Sequence, residues 1–228
     1  MKIKGGAEAL LKMLVRQLKN LTTFEDSKQD VYELENAICN AISKLEHSLM
    51  ASNIRQTKDK QGTVFSPYHA GQYAQFLYWV ARSLYIRNPD SQICDMVSAL
   101  NGYLHSLFLN HRVNMPSIFY LDHPYGTIIG RATIGEFFFA IQGVTVGAGT
   151  IARDQVFPQI GNHVTMLADS SVMGNVRIGN RVIISAGSRI VNQDIPDNCI
   201  VFGQSPELTI KLVGEISIEK RMSEIWRY

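Results

Sequence analysis

In the stretch IGNHVTMLADSSVMGNVRIGNRVIISAGSRIV, residues 160–191, a branched or apolar residue returns at every sixth position. A period of six fits neither an α-helix nor the alternation of a hairpin sheet. It indicates a solenoid of short parallel strands, in which three hexads form one triangular coil. The series consists of Ile160, Met166, Val172, Ile178, Ile184 and Ile190.

The same period is present upstream, and it is interrupted once, by GAGTIARDQVFP at residues 147–158. Glycine directly follows several of the apolar positions, which predicts tight corners with backbone conformations that other residues resist. We therefore predict an α+β fold class, in which a left-handed parallel β-helix of hexapeptide repeats follows an N-terminal α-helical domain. This handedness is an exception to the usual right-handed crossover. The upstream series consists of Ile128, Ile134, Ala140 and Val146.

The first half of the chain has helical periodicity instead. AEALLKMLVRQL and VYELENAICNAISKLEHSLM each place apolar residues on one face. Ser66-Pro67 predicts the N-cap and first residue of a third helix, and Asn88-Pro89 predicts its end. We predict an α-helical domain over 1–112, the β-helix over 113–205 and a C-terminal extension over 206–228.

Composition excludes several classes of protein. A formal net charge of +2 and the lack of a basic cluster interleaved with aromatic residues argue against nucleic acid as a partner. The three cysteines lie far apart without metal-ligand spacing, which predicts reduced thiols. The N-terminus has no signal-peptide cleavage site, and no apolar run is long enough to span a membrane. These features predict a soluble cytoplasmic protein.

The segment FYLDHPYGTIIG, residues 119–130, lies where the helical half meets the repeats. His123 follows Asp122 there, with Pro124 and Gly126 close behind. Histidine accepts a proton near neutral pH, which suits it as a general base. Neighbouring residues on a strand point to opposite faces, so Asp122 can assist His123 only if the segment turns.

The motif LDHPYG, the following IIG, Gln142 and VTVG resemble the hexapeptide-repeat acyltransferases, and the serine O-acetyltransferases among them. DHPYGTIIGRA and NCIVFGQSPELTIK are most similar to serine-acetyltransferase-like proteins of surface-polysaccharide gene clusters. The resemblance implies that His123 is the catalytic base and that Asp122 orients it or the substrate. It also implies acetyl-CoA as co-substrate and a homotrimer, with a dimer of trimers as a further possibility.

Further residues are assigned from the resemblance and from the loop. Gln142 and Phe157 are candidate acceptor-binding residues, and backbone N–H groups near Gly143 or Gly147 are candidate donors to an oxyanion. Small residues would let a thioester arm approach the backbone, and two cations could meet the phosphates of the cofactor. The candidate acetyl-CoA-binding residues are Gly143, Gly147, Ala148, Gly149, Arg153 and Lys211.

The chain departs from the serine enzymes at residues that would bind the acceptor. They carry Asp-Arg-His-Pro where this chain has Gln155-Val156-Phe157-Pro158, so the Arg that would hold a carboxylate and a second active-site His are missing. We therefore expect a sugar or sugar-nucleotide acceptor with a hydroxyl or amine. Serine O-acetylation and a non-catalytic scaffold are the alternatives.

Phe137 and Phe139 are expected to point outward and to be covered by another subunit. A metal is not expected, because the γ-type carbonic anhydrases of this fold need three histidines and the coils offer only His163 beyond His123. His69 and Tyr73 share a helical face, and they could line a site or simply pack.

Overall fold

A computed structural model describes residues 1–148 and 156–227. The first half contains four α-helices, with a short 3₁₀ turn, Arg55–Thr57, after the second of them, and one further helix lies near the C-terminus. The predicted helical half is therefore confirmed. The helices are α1 (Ala7–Leu21), α2 (Lys28–Ala51), α3 (Ala70–Arg87), α4 (Gln92–His105) and α5 (Glu215–Met222).

The third helix begins later than predicted. His69 is the N-cap of α3, and Ser66 and Pro67 precede the helix in a turn. The Ser66 N–H donates to Gln72 Oε1 (2.7 Å), and the His69 N–H donates to the Ser66 carbonyl (3.1 Å). These two bonds close the turn before the helix starts. The predicted helix end is confirmed, since α3 stops at Arg87.

A small sheet brings the N-terminus beside the start of α3. It consists of β1 (Lys2–Ile3), β2 (Lys58–Asp59) and β3 (Gly62–Phe65). β1 pairs parallel with β3, and β2 pairs antiparallel with it. The Lys4 N–H extends the pairing by donating to the Phe65 carbonyl (2.9 Å).

The second half is a coil of short parallel strands on three faces, as the six-residue period predicts. Face A contains β5 (Phe119–Leu121), β8 (Phe138–Ala140), β11 (Val164–Met166), β14 (Val182–Ile184) and β16 (Cys199–Gln204). Face B contains β4 (Phe108–Leu109), β6 (Ile128–Ile129), β9 (Thr145–Gly147), β12 (Ser171–Met173) and β15 (Arg189–Val191). Face C contains β7 (Thr133–Ile134), β10 (Gln159–Ile160) and β13 (Arg177–Ile178). Face B begins at Phe108, and the domain boundaries stay a prediction.

The stacked apolar residues fill the axis of the coil, with one change of register. Ile160 lies between Ile134 and Ile178 on face C, and all three side chains are buried. The prediction is wrong for Ile128, which is 46% exposed, because Ile129 takes the inward position. Ile129 pairs with Val146 on β9, so the first coil is shifted by one residue.

The glycines that follow the axis residues have a different reason from the one predicted. Gly135 and Gly161 do not have left-handed backbones; instead, a Cβ atom on Gly135 would lie 2.6 Å from the Gly161 carbonyl oxygen. Close stacking of successive coils excludes a side chain there. The left-handed corners come two residues after Gly135 and Gly161, at Phe137 (φ 62°) and His163 (φ 56°).

The helical half covers the first strand of face A. Gln75 Nε2 of α3 donates to the Phe119 carbonyl (2.7 Å), and the Phe119 N–H donates to Ser48 Oγ of α2 (3.2 Å). The N–H and the carbonyl of Phe119 are thereby satisfied without another coil. Gly71 permits the contact, since a Cβ atom there would lie 2.1 Å from the Leu121 carbonyl oxygen.

The C-terminal segment first pairs with the last coil and then returns to the helices. β17 (Glu207–Leu212) forms an antiparallel pair with β16, and α5 follows it. Trp226 is fully buried and bridges to Ser52 at the end of α2. This segment therefore ties the β-helix to the helical half.

The prediction that Phe137 and Phe139 point outward to another subunit is wrong. The Phe137 ring stacks on the His163 ring, with 4.3 Å between centroids, and meets the edge of Trp226 at 5.6 Å. Phe139 is 7% exposed and stacks on Tyr120. The chain covers these rings itself, because the C-terminal segment folds back over the coil.

Two composition-level predictions concern thiols and membranes. Cys39, Cys94 and Cys199 are all free, as their spacing indicates. Within the residues that the structure describes, no helix combines the length and the apolar character needed to cross a bilayer.

A buried histidine makes stability depend on pH. His105 is 6% exposed, and burial lowers its pKa from 6.5 to about 4. The unfolded chain therefore takes up a proton near pH 6.5 that the folded chain refuses until about pH 4. Its contribution to stability is full above the unfolded pKa and is lost as the pH falls towards the folded one. We expect the free energy of unfolding to drop by about 2 kcal/mol from this group between pH 7 and pH 5.

Urea denaturation at the two pH values measures this effect. His105→Gln should flatten the pH dependence by the stated amount, and His47→Gln, at an exposed histidine of α2, is the matched control. An equal slope in both variants would contradict the assignment to His105.

Candidate active site

The turn after β5 presents Asp122 and His123 at the entrance of the coil. The Asp122 N–H donates to the Ala140 carbonyl (2.9 Å), which extends the pairing of β5 with β8 by one residue. His123 then leaves the strand with a left-handed backbone (φ 46°). Its carbonyl accepts from the Tyr125 N–H (2.7 Å), which closes the turn.

The left-handed conformation brings the two neighbouring side chains together. His123 Nδ1 lies 3.2 Å from Asp122 Oδ2, with side-chain exposures of 62% and 23%. The carboxylate therefore faces one ring nitrogen, and the other is available to a ligand. A carboxylate against Nδ1 favours the tautomer whose free nitrogen accepts a proton, and it stabilises the imidazolium once formed.

His69 of the helical half lies opposite this pair. Its ring centroid is 6.3 Å from that of His123, and its Nδ1 is buried without a hydrogen-bond partner among the described residues. Burial, above all, lowers the pKa of His69, and the charge of Asp122 opposes the shift. His69 is therefore neutral at physiological pH and can donate or accept a hydrogen bond.

Tyr73, which shares a helical face with His69, packs in the interior. It is buried, and its hydroxyl donates to Gln17 Oε1 of α1, so it belongs to the helical core. Tyr120 lies beneath the site, and burial followed by the charge of Asp122 raises its pKa. Its phenol therefore stays protonated.

The candidate glycines lie on face B and at the adjoining corner. Gly143 (φ 71°) donates its N–H to the Tyr125 carbonyl (3.0 Å), so this donor is already engaged. Gly147 ends β9, and a Cβ atom there would meet only the Gly130 Cα at 4.0 Å. Ala148 follows directly, whereas Gly149 and Arg153 lie outside the described residues. Gln142 is exposed at the Gly143 corner, and its carbonyl accepts from the Asp169 N–H.

The positions that depart from the serine enzymes are also defined. Val156 is 46% exposed, and the Phe157 ring lies under the Arg131 guanidinium, 4.6 Å from its centroid. Arg131 is a cation beside this position that the motif comparison did not identify. Lys211 is exposed on β17, opposite Ile200.

One group of potential metal ligands lies in the helical half. Ligand atoms of Cys94, Asp95 and His111 lie within 4.8 Å of one another. Cys94 Sγ donates to the Ser91 carbonyl (2.7 Å), and burial raises the pKa of this thiol. Zinc needs the thiolate, so the thiol must lose this bond before it can bind a metal.

Comparison with known proteins agrees with this architecture. The family described as bacterial transferase hexapeptide (six repeats) matches residues 157–192. Residues 157–192 of this chain therefore resemble bacterial transferase hexapeptide repeats. It also resembles the serine acetyltransferases, and the enzyme of Staphylococcus epidermidis is 30% identical over 136 residues. That match covers 59% of this chain and 63% of the length of the staphylococcal enzyme.

Solved structures confirm the predicted fold of this chain. Serine acetyltransferase (CysE) of Neisseria gonorrhoeae superposes with a TM-score of 0.70 at 22% identity, over 92% of this chain and 81% of that chain. Serine acetyltransferase of Brucella abortus, in complex with coenzyme A, superposes with a TM-score of 0.66 at 20% identity, over 89% and 80%. The helical half is thus part of the shared fold.

The sequence predicted Asp122 and His123 as site residues, but it did not show whether His69 lines a site or packs. His69 lies directly before helix α3, six residues ahead of the buried Gln75. Nothing in the local sequence indicates that it will face a strand 50 residues later. The signal is tertiary, because Gly71 sets how closely α3 approaches Leu121. Arg131 was missed for a similar reason, since its partner Phe157 follows the long insertion.

Proposed function

We propose that this chain is an acetyl-CoA-dependent acyltransferase in which His123 is the general base. The observation that carries the proposal is the position of Asp122 Oδ2, 3.2 Å from His123 Nδ1, at the entrance of a hexapeptide-repeat coil. The resemblance to serine acetyltransferases supports the reaction class. A thioester donor and an imidazole base need no covalent enzyme intermediate.

The reaction is direct attack by the acceptor. Its oxygen or nitrogen bonds to the thioester carbonyl carbon while His123 takes the proton that the acceptor loses. The carbon–sulfur bond then breaks, and the imidazolium returns the proton to the departing CoA thiolate. Asp122 holds the ring and stabilises its charged form during this transfer.

The thioester is assigned to the end of β9. The space beside Gly147 admits the pantetheine arm. Backbone N–H groups near Gly147 are the proposed donors to the oxyanion. Ala148 and Gly149 are assigned to the same arm by the resemblance, and Arg153 and Lys211 are assigned to the phosphates of CoA. Gln142 and Phe157 are assigned to the acceptor.

The acceptor is proposed to be a sugar or sugar nucleotide. Val156 offers no charge to a carboxylate, and the aromatic ring of Phe157 stands where the serine enzymes have histidine. Serine acetylation is the second candidate, and the similarity to serine acetyltransferases favours it.

The assembly is proposed to be a homotrimer in the cytoplasm, with a dimer of trimers as the alternative. Exposed apolar side chains on face B support an intersubunit contact. Phe108 and Ile128 are register neighbours there, with 57% and 46% exposure.

Thiol release from acetyl-CoA, measured with L-serine and with UDP- and dTDP-linked amino sugars, tests the function. We expect the largest kcat/KM with a nucleotide-linked amino sugar. Serine as the preferred acceptor would contradict the sugar assignment. Absence of both thiol release and CoA binding would contradict the transferase itself.

A further inference from the structure

A pocket lined by basic residues lies beside the candidate site, on the side of the helical half. It has a volume of about 510 Å³, and we call it the basic pocket. Its main lining residues are Lys4, Arg55, Lys58 and His69, with Gln56 and Tyr68. The small N-terminal sheet fixes this arrangement, since Lys4 follows β1, Lys58 begins β2, and both strands pair with β3.

The charge of the basic pocket is uncompensated by its own lining. No carboxylate is present among its described lining residues. Neither Lys4 nor Arg55 has an ion-pair partner in the part of the chain that the structure describes. Lys58 Nζ donates to the Ser52 carbonyl, and burial and then the charge of Arg227 lower its pKa. Like charges around one cavity are unfavourable unless an anion binds between them.

The backbone at the pocket favours an anion as well. His69 is the N-cap of α3 and makes no side-chain hydrogen bond to the first turn. The positive end of this 18-residue helix therefore starts at the pocket wall. A bound anion would therefore interact with this helix N-terminus as well as with the cations, because no side chain caps the helix.

His69 connects the basic pocket to the candidate base. It lines the pocket, and its ring centroid is 6.3 Å from that of His123. A ligand anchored by its anionic group in the pocket can therefore extend past His69 and present a hydroxyl or amine to His123. The pocket therefore offers a positive charge to the acceptor, which Val156 does not.

We propose that the basic pocket binds the phosphate or diphosphate group of the acceptor, so that the acceptor is a phosphorylated or nucleotide-linked sugar. This inference rests on the proposed function and specifies its substrate class. Three cations suit a group with two or more negative charges better than the single carboxylate of an amino acid. The phosphates of CoA offer the same chemistry, and the kinetic test separates the two sources.

Calorimetry of the full chain with UDP and with inorganic pyrophosphate tests binding without any need for turnover. We expect Lys4→Gln/Arg55→Gln to weaken UDP binding by about ten- to a hundredfold, because two charged partners are removed. The matched control Lys28→Gln/Lys60→Gln removes the same charge from exposed positions outside the pocket and should bind UDP as the unmodified protein does. Lack of UDP binding by the unmodified protein, or equal binding by both double variants, would overturn the proposal.

Steady-state kinetics then assign the anion to acceptor or donor. We expect the pocket variant, Lys4→Gln/Arg55→Gln, to raise KM for a nucleotide-linked sugar and to leave KM for acetyl-CoA unchanged. A rise only in KM for acetyl-CoA would overturn the proposal, because the phosphates would be those of CoA. If the chain binds UDP through Lys4 and Arg55 but never cleaves acetyl-CoA, the pocket stands and the proposed function fails. If acetyl transfer proceeds and the pocket variant changes nothing, the function stands and this inference fails.

Discussion

Replacing His123 with Asn is expected to lower kcat/KM for acetyl transfer by about 10²- to 10⁴-fold, the usual contribution of a positioned general base. The side chain of His123 is 62% exposed, so its loss leaves no cavity. Asn also tolerates the left-handed backbone at this position, where φ is 46°. Stability should therefore stay unchanged or rise slightly while activity falls. Thiol release and thermal unfolding of the same preparation measure both.

Two companion variants make this test specific. His47→Asn changes an exposed histidine of α2 and should keep full activity. Asp122→Asn removes the charge that faces His123 Nδ1 and should cost less than the loss of His123, with a changed pH–rate profile as the mark of a positioning role. An active His123→Asn enzyme would show that another group takes the proton.

Replacing Gly71 with Ala is expected to destabilise the protein by about 1–3 kcal/mol, the usual range for an overpacked contact. The added Cβ would lie 2.1 Å from the Leu121 carbonyl oxygen, so helix α3 or strand β5 must move. Since Leu121 precedes Asp122 and Gly71 follows His69 by two residues, activity should fall with stability. Urea denaturation and thiol release measure the two effects.

The matched control is the same substitution in another helix. A Cβ atom on Gly102 of α4 would meet nothing within 4 Å. Ala is a better helix former than Gly, so Gly102→Ala should stabilise the protein by about 0.5–1 kcal/mol. Opposite signs for the two variants would support direct packing of α3 on β5, and a neutral Gly71→Ala would contradict it.

The period of six predicted the coil because it reports a local repeat: each inward residue meets its counterpart one coil later. It misplaced Ile128, since a single residue fewer in the first coil moves the inward position to Ile129 without disturbing the pattern that follows. It also misjudged Phe137 and Phe139, because periodicity identifies the positions that point outward but not what covers them.

The helical half, the repeat and the position of Asp122 and His123 at their junction could be predicted from the sequence, because each depends on spacing along the chain. The contact between Asp122 and His123 became evident only in the folded chain, since the left-handed turn at His123 overrides strand alternation. Only the tertiary structure placed His69 opposite that pair and gathered Lys4, Arg55 and Lys58 around one pocket. These residues come from separate elements, and the close approach at Gly71 and the pairing of β1 with β3 bring them together.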